Sequence, residues 1–428
     1  MPDRLSFRAL RGSIGGAMLA AAFSIQAQLA TPPVAPLTVF EAMRLAEGNA
    51  PALEARKSAI AMSDALAESA LALPDPKLKI GLDNWPIEGA EKFSTGRDFM
   101  TMRRIGISRD MPREEKRELR SERYRLEARR EGAILEDLRL AVRRDTALAF
   151  VERHYAAAAT QLIEDLKRES QVQYDVLVGQ LRAGRAAPID AVIAQSQLRL
   201  LDDRAAEFAR LAARAQVQLE RWLGGAAARP AADWRLADVN LDRNSLLATD
   251  HPHLATFAQA EAQADNEIAQ AKAQEKGDWG WEVAYQKRGA QFTDMVSFGV
   301  VIDLPSFGQQ RIAPEISARR AQKQVAERNR DDALRQHMLE VRLALADWDA
   351  ATTRRSGFDD ALLPLAKERI DQALAGYRSG AGKLADLLEA RRQWLETRLL
   401  QLQLEQDAAR AWAQLQYYRH ADHAGEAK

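Results

Sequence analysis

The sequence contains no cysteine in 428 residues. This absence excludes disulfide bonds, thiolate metal sites, a cysteine nucleophile and a lipid-modified N-terminal cysteine. Lys plus Arg equals Asp plus Glu at 61 each, so the net charge gives no electrostatic basis for binding nucleic acid, and we expect no such partner. After the N-terminal segment, no stretch is long and apolar enough for a membrane helix, so any membrane contact has to be made by strands.

Catalytic signatures are also missing. The six histidines are scattered, and no HExxH, GxSxG, GxGxxG or Walker pattern occurs. His251 and His253 form the closest pair and could suggest a metal site, but their position at the start of a helix favours turn chemistry. We therefore expect no enzyme activity, no cofactor and no metal site.

The N-terminus has the order of features found in an export signal. Arg4, Arg8 and Arg11 precede an apolar stretch and small residues that end near Ala27. The alternative is a short membrane anchor, but the apolar run is shorter than the roughly 20 residues needed to span a bilayer. We predict a signal peptide over residues 1–27, followed by an extended, proline-rich leader over 28–37.

Two passages, QLRAGRAAPIDAVIAQ and GYRSGAGKLADLLEAR, carry the same spacing of Arg, Gly, Asp and Ala. Adding 196 takes Arg182 to Arg378, Gly184 to Gly380 and Asp190 to Asp386. A fixed offset of this kind indicates a tandem duplication. We assign a first repeat to 38–224, an equatorial linker to 225–249, a second repeat to 250–420 and a tail to 421–428.

Each repeat contains a pair of short segments in which apolar and polar residues alternate, as in β-strands. The first repeat has strands predicted at 77–85 and 99–109, and the second has strands at 279–287 and 295–304. Met100 and Met102 have even numbers, whereas Ile105 and Ile107 have odd numbers, so in a regular strand the two pairs would lie on opposite faces. This change of parity near Arg103 predicts a β-bulge, which would bring all four apolar residues to one face.

Strands of this length in an exported chain fit a transmembrane β-barrel. Because open sheet edges are not tolerated in lipid, four strands per chain have to be closed by other copies, and three copies would give twelve strands. The alternative is an ordinary soluble four-stranded sheet packed on helices. The aromatic residues predicted to face lipid are Trp85, Trp279, Trp281, Tyr285 and Phe298.

The remaining sequence predicts long helices with apolar residues three and four apart. Coiled-coil hairpins are expected at 113–223 and 311–418, each opening with a helix of about 70 residues, or roughly 100 Å. Such helices have to bury their apolar stripes against the returning helix and against neighbouring copies. The charged run at 113–131 is interpreted as a solvated helix face. Pro364 is expected to interrupt the second long helix. The fold class is therefore mainly α with a membrane β part.

The order helix, β-hairpin, long helix, glycine tip and return helix, used twice, resembles the TolC family of outer-membrane factors. The segments NAPALEARKSA, LPDPKLKIGLDN, SRDMP and IDLPSFGQQR, and the LRAG and YRSG tips, carry the resemblance. Within the family, the chain looks most similar to members of heavy-metal resistance pumps. The resemblance implies a homotrimer with a twelve-stranded barrel in the outer membrane of a Gram-negative bacterium and a helical barrel that extends into the periplasm.

The family resemblance also implies site residues. Asp386 and Glu389, with Asp190 at the duplicate position, would form the periplasmic gate, although Asp386 and Asp190 could instead cap their helices. Residues near the two tips would dock a periplasmic adaptor, although plain turn geometry would explain their glycines. These tip residues are Arg182, Gly184, Tyr377, Arg378 and Gly380.

The implied function is that of a passive exit duct in a tripartite efflux system. Its partners would be a periplasmic adaptor of the membrane-fusion-protein class, an inner-membrane RND pump reached through that adaptor, and outer-membrane lipid. Heavy-metal cations are a candidate cargo. The alternatives are a type I secretion or multidrug duct of the same fold, and a soluble periplasmic coiled-coil scaffold or adaptor. The aromatic residues of the predicted lipid-facing strands argue against the scaffold or adaptor.

Overall fold

The computed structural model describes residues 35–184, 186–232, 234, 241, 243–247, 249–304 and 309–419. The predicted signal peptide, most of the leader, part of the linker and the tail lie outside these residues. Among the described helices, none is both long enough and apolar enough to cross a membrane.

Most of the described chain is helical, and four strands form one small antiparallel sheet, as the sequence predicts. The elements are α1 (Val39–Asn49), α2 (Pro51–Leu71), β1 (Lys77–Asp83), β2 (Met102–Met111), α3 (Glu114–Arg182), α4 (Pro188–Leu223), α5 (Arg243–Leu246), α6 (Pro252–Ala273), β3 (Trp279–Lys287), β4 (Met295–Ile302), α7 (Gln309–Gly357), α8 (Leu363–Ser379) and α9 (Leu384–Tyr418).

Local sequence explains where several helices start. The Thr38 hydroxyl accepts a hydrogen bond from the Glu41 N–H at 3.2 Å and caps α1. Pro51, Pro188 and Pro252 lie in the first turns of α2, α4 and α6. Backbone N–H groups in a first turn have no acceptor within the helix, so proline, which lacks this group, loses no hydrogen bond there.

The two long helices differ in continuity. α3 runs through 69 residues without a break. In the second half, a π-helical segment at Phe358–Leu362 separates α7 from α8 and ends just before Pro364. Proline has no N–H to donate to the preceding turn, and its ring crowds that turn, so the backbone changes its hydrogen-bond pattern there. The predicted interruption at Pro364 is confirmed.

The sheet has the order β1-β2-β3-β4. The pairs between β1 and β2 run without an insertion from Lys77↔Ser108 to Asp83↔Met102, so the predicted bulge near Arg103 is wrong. The parity argument failed because Met100 precedes the strand and Met102, paired with Asp83, lies on the opposite face from Ile105 and Ile107. The N–H groups of Met100 and Thr101 bond to the Asp98 side chain at 2.8 and 3.2 Å, which holds these residues in a turn.

Other strand ends also differ from the predicted ones. β1 ends at Asp83 instead of residue 85, because Asn84 has a positive φ of 53° that breaks the extended conformation. β2 covers Met102–Met111 instead of 99–109, and β4 ends at Ile302 instead of residue 304. The boundaries of β3 agree with the prediction.

The helices form a row that continues from the sheet. Nearer the sheet the packing order is α2, α3, α6, α7, and towards the glycine tips it is α4, α3, α9, α7 with α8. First-half elements therefore occupy one edge of both the row and the sheet, and second-half elements occupy the other edge. The largest core cluster lies between these two regions, where Met43 of α1, Phe150 of α3, Leu219 of α4 and Trp412 of α9 are buried together.

Candidate functional site

One face of the sheet is apolar and exposed. Ile80, Ile105, Tyr285 and Val296 are aligned across the four strands, and Leu78, Ile107, Val283 and Phe298 form the next aligned row. The side chains of Ile80 and Phe298 are 76% and 80% exposed. Exposed apolar rows across a whole sheet indicate a surface that faces an apolar medium or a partner, because a soluble chain rarely leaves so large a patch open.

The opposite face is polar and internally paired. Lys79 Nζ lies 2.5 Å from Glu282 Oε2, Arg104 Nη1 lies 3.4 Å from Glu282 Oε1, and Arg104 Nε lies 3.3 Å from Asp83 Oδ2. A further pair joins Lys77 Nζ to Asp110 Oδ2 at 2.6 Å. Alternation of an apolar outward face with a polar inward face is the pattern of a membrane barrel strand.

The extent of the apolar face differs from strand to strand. On β4 it runs from Val296 to Ile302, six steps or about 20 Å along the strand, whereas on β2 Arg103 and Arg109 lie on the same face as Ile105 and Ile107. Trp279, Trp281, Tyr285 and Phe298 lie on the apolar face, as the sequence predicts.

Trp85 lies outside the sheet, although the sequence analysis placed it at the end of the first strand. It lies in the β1–β2 loop, where its ring contacts Phe93 at a centroid distance of 5.5 Å. It is still 46% exposed, at the end of the sheet.

Both edges of the sheet and of the helical row are open. Within the described residues, β1 and β4 have no strand on their outer sides. The edge helices also expose large apolar side chains. On the first-half edge these include Met62, Leu66, Val192, Leu200 and Val217, and on the second-half edge Val325, Leu339, Leu343, Leu362 and Leu365.

The glycine tips of the two halves pack against each other. Leu177, Ala194, Leu384 and Leu387 form a buried cluster, and the Tyr377 hydroxyl donates to Gln180 Oε1 at 3.1 Å. The structure thus brings the ends of both helical hairpins together.

Left-handed glycines end both outgoing helices. Gly184 has φ 68° and Gly380 has φ 78°, which favour glycine over residues with a Cβ. Arg182 and Arg378 are exposed beside these turns, so both the docking and the turn-geometry interpretations remain compatible with their positions.

The predicted gate carboxylates have different surroundings. Asp386 accepts the backbone N–H of Lys383 at 3.3 Å and so caps α9, which was the alternative role. Glu389 lies one turn further on and forms a two-bond fork with Arg392, at 2.6 and 2.9 Å. Asp190 is half-buried in the first turn of α4.

Solved structures share this architecture. CusC, from a study of folding and transmembrane channel formation, has a TM-score of 0.75 at 19% identity and covers 88% of this chain and 90% of its own. The CmeC outer membrane channel of Campylobacter jejuni gives 0.74 at 13% identity, with 89% and 85% covered. The outer membrane protein VceC of Vibrio cholerae gives 0.73 at 16% identity, with 88% and 94% covered.

The chain has the TolC-type outer-membrane efflux channel fold. Neither a protein-family model nor a curated protein sequence matches it. The predicted resemblance is therefore confirmed at the level of the fold. CusC and CmeC are described as channels, and the absence of enzyme activity in this chain stays a prediction.

A buried arginine that the sequence analysis missed ties the linker of this channel fold to α3. Arg153 is 8% exposed and donates to the carbonyl of Arg229 at 2.8 Å, to the carbonyl of Ala227, and to Gln216 Oε1 at 2.9 Å. Arg229 in turn pairs with Glu41 at 2.6 Å. A charged residue inside the apolar run ALAFVERHYAAAA is the only sequence signal that could have indicated this anchor.

The HPH segment performs the turn chemistry predicted for it. His251 is 3% exposed, and its Nδ1 accepts the backbone N–H of His253 at 3.2 Å, which caps α6. Its Nε2 is 2.7 Å from the Tyr417 carbonyl and therefore carries the proton. Within the described residues, no group of three or more His, Cys, Asp or Glu side chains could hold a metal ion.

Burial lowers the pKa of His251, although the Tyr417 carbonyl, Asp137 and Asp250 act in the opposite direction. The hydrogen bond with Asp137 raises the pKa of His253. A histidine whose pKa is lowered by folding contributes stability above its unfolded pKa of about 6.5 and loses it as the pH falls towards the folded value. Protonated Nδ1 could also no longer accept the capping bond.

We expect the melting temperature of the His251→Asn variant to fall less steeply than that of the wild type as the pH decreases below about 7. Asparagine caps helices without titrating, so the difference in melting temperature between wild type and variant should shrink from about pH 7.5 to about pH 5. The measurement is thermal unfolding followed by circular dichroism. Because His253 and Asp137 are present in both proteins, their contributions largely cancel. Parallel profiles across this range would contradict the assignment.

Proposed function

We propose that this chain is one third of an outer-membrane efflux channel, a passive exit duct of a tripartite system. One observation carries the proposal. Within the part of the chain that the structure describes, the two-faced sheet is open at β1 and β4, and the row of helices is open at the corresponding edges. An open apolar sheet cannot persist in lipid, so other copies have to close it. A head-to-tail arrangement of identical copies joins one edge to the other and closes a ring.

The proposed assembly has three copies. Two copies would give eight strands, and the interior of an eight-stranded barrel is only wide enough for side chains. Three copies give twelve strands and leave room for a duct. The polar face with Lys79, Arg104 and Glu282 would line that duct, and the face with Ile80 and Phe298 would contact outer-membrane lipid.

The domain assignment follows the same logic. We propose an export signal at 1–27, an extended leader at 28–37, repeats at 38–224 and 250–420, an equatorial linker at 225–249 and a tail at 421–428. Each repeat would supply two strands to the barrel and one helical hairpin to the periplasmic part. In the first repeat that hairpin is formed by α3 and α4.

The two glycine tips would form the periplasmic mouth and dock the adaptor that links the duct to an inner-membrane RND pump. The exposed Arg182 and Arg378, together with Tyr377 and the tip glycines Gly184 and Gly380, are the proposed docking residues. Asp386 and Glu389, with Asp190, are the proposed gate carboxylates. Heavy-metal cations remain the proposed cargo, and a wide duct needs no coordination site for them.

Planar lipid bilayers test the proposal. Detergent-purified protein added to one side should produce stepwise increases in conductance, since a water-filled barrel passes ions. The matched control is the same preparation denatured by heat. A protein that remains in the soluble periplasmic fraction and never conducts would instead be a scaffold or adaptor.

A further inference from the structure

Arg392 joins two carboxylates at the proposed mouth. Its Nη2 and Nε lie 2.6 and 2.9 Å from the two oxygens of Glu389, and its Nη1 lies 2.7 Å from Glu396 Oε1. All three nitrogens of the guanidinium group are therefore used. Parallel bonds between a guanidinium and a carboxylate are strong and geometrically specific, more so than a point contact from lysine.

The Glu389 carboxylate is charged, and the positive charge of Arg392 offsets it. Hydrogen bonds from Arg392 and from Gln393, the latter at 2.8 Å, lower the pKa of Glu389 to about 2. The carboxylate is therefore charged at every physiological pH, and its field on passing ions is offset by the adjacent cation. The triad of Glu389, Arg392 and Glu396 carries one net negative charge, and Arg204 of α4 lies nearby, with its Nη2 3.8 Å from Glu396 Oε1.

This triad is present in only one of the two hairpins. The 196-residue offset takes its members to Ile193, Ser196 and Leu200 of α4, none of which is charged. By contrast, the capping residue Asp386 has its counterpart in Asp190. The triad therefore belongs to α9 and is not a general requirement for building a return helix with its tip.

We propose that Arg392 sets the ion preference of the periplasmic mouth by offsetting the charge of Glu389 and Glu396. The inference depends on the proposed function, because a preference exists only if the chain forms a duct. In a ring of three copies each charge appears three times, and fixed charge at a constriction selects ions of the opposite sign. Arg392 thus halves the negative charge of the triad in every copy and limits the preference of the mouth for cations.

The experiment is the reversal potential of single channels in a KCl gradient at low ionic strength, where screening is weakest. Arg392→Gln leaves the triad with two net negative charges, and we expect the permeability ratio of K⁺ to Cl⁻ to rise about threefold. The double variant Glu389→Gln/Arg392→Gln has the original net charge and should return the ratio to the wild-type value. Arg392→Lys keeps the charge and should change the ratio little.

Arg199→Gln is the matched control. Arg199 lies in α4, forms an exposed pair with Asp202 at 3.4 Å, and corresponds by the offset to Leu395, close to Arg392 in the other hairpin. It should leave the ratio unchanged. An Arg392→Gln channel with an unchanged or lower ratio overturns the inference, and so does an equal shift in Arg199→Gln. If wild type does not conduct, the proposed function fails first, and the inference fails with it.

Discussion

Val300→Arg is expected to abolish assembly in the outer membrane, whereas Val301→Arg is expected to permit it. The two valines are adjacent in β4 and are 64% and 67% exposed, but they lie on opposite faces of the sheet. Val300 is paired with Trp281 on the apolar face, and Val301 is paired with Gly280 on the polar face. The two substitutions therefore differ only in the face of the sheet on which the new side chain lies.

The energetic reason is the cost of placing a guanidinium group in lipid. Arginine on the lipid face of a barrel costs about 2–4 kcal/mol at the midplane and less near the interfaces. Val300 lies one row from Ile107 and Phe298, in a row that also contains Arg109 of β2. We therefore expect the lower end of this range, about 2 kcal/mol per copy, repeated in every copy of the ring. In the Val301→Arg variant, the new guanidinium group would instead face water on the side of the sheet that carries Asp110.

The measurement is the amount of heat-sensitive, detergent-resistant oligomer in isolated outer membranes. We expect that band to be lost for Val300→Arg and retained for Val301→Arg. Equal assembly of both variants would mean that the apolar face does not contact lipid. Loss of both would mean that β4 tolerates no added charge on either face, and the assignment of faces would have no support.

Much of the architecture could be predicted from the sequence because its signals are periodic. The spacing of apolar residues indicated the long helices, and the alternation in WGWEVAYQ and MVSFGVVID indicated β3 and β4. Pro364 identified the break between α7 and α8, because the missing N–H acts locally. These features depend on neighbours within one or two turns of the chain.

Features that depend on distant contacts could not be predicted. Arg153 binds carbonyls more than 70 residues away, and no periodicity encodes such a contact. The fork between Arg392 and Glu389 needs specific rotamers in addition to the i,i+3 spacing, which many surface pairs share. The bulge prediction failed because Asp98 holds Met100 in a turn outside the strand, and because Met102 is an apolar residue on the polar face, opposite Asp83.

The second large expected effect is the association of the chain into a closed ring of three copies. Within the described residues, every layer of the molecule is open at both edges, from β1 and β4 to the edge helices α2, α4, α7 and α8. Leu200 of α4 is 61% exposed and Leu365 of α8 is 60% exposed, on opposite edges. Burying such side chains contributes about 1.5–3 kcal/mol each, and a head-to-tail ring buries both edges of every copy.

The mass of the purified protein in detergent tests this account most directly. Light scattering corrected for bound detergent, or native mass spectrometry, should give three times the mass of one mature chain, stable to dilution because the edges are mutually satisfied. A monodisperse single chain that remains soluble after the detergent is removed would contradict the account, since its apolar sheet face and both open edges would then need no partner.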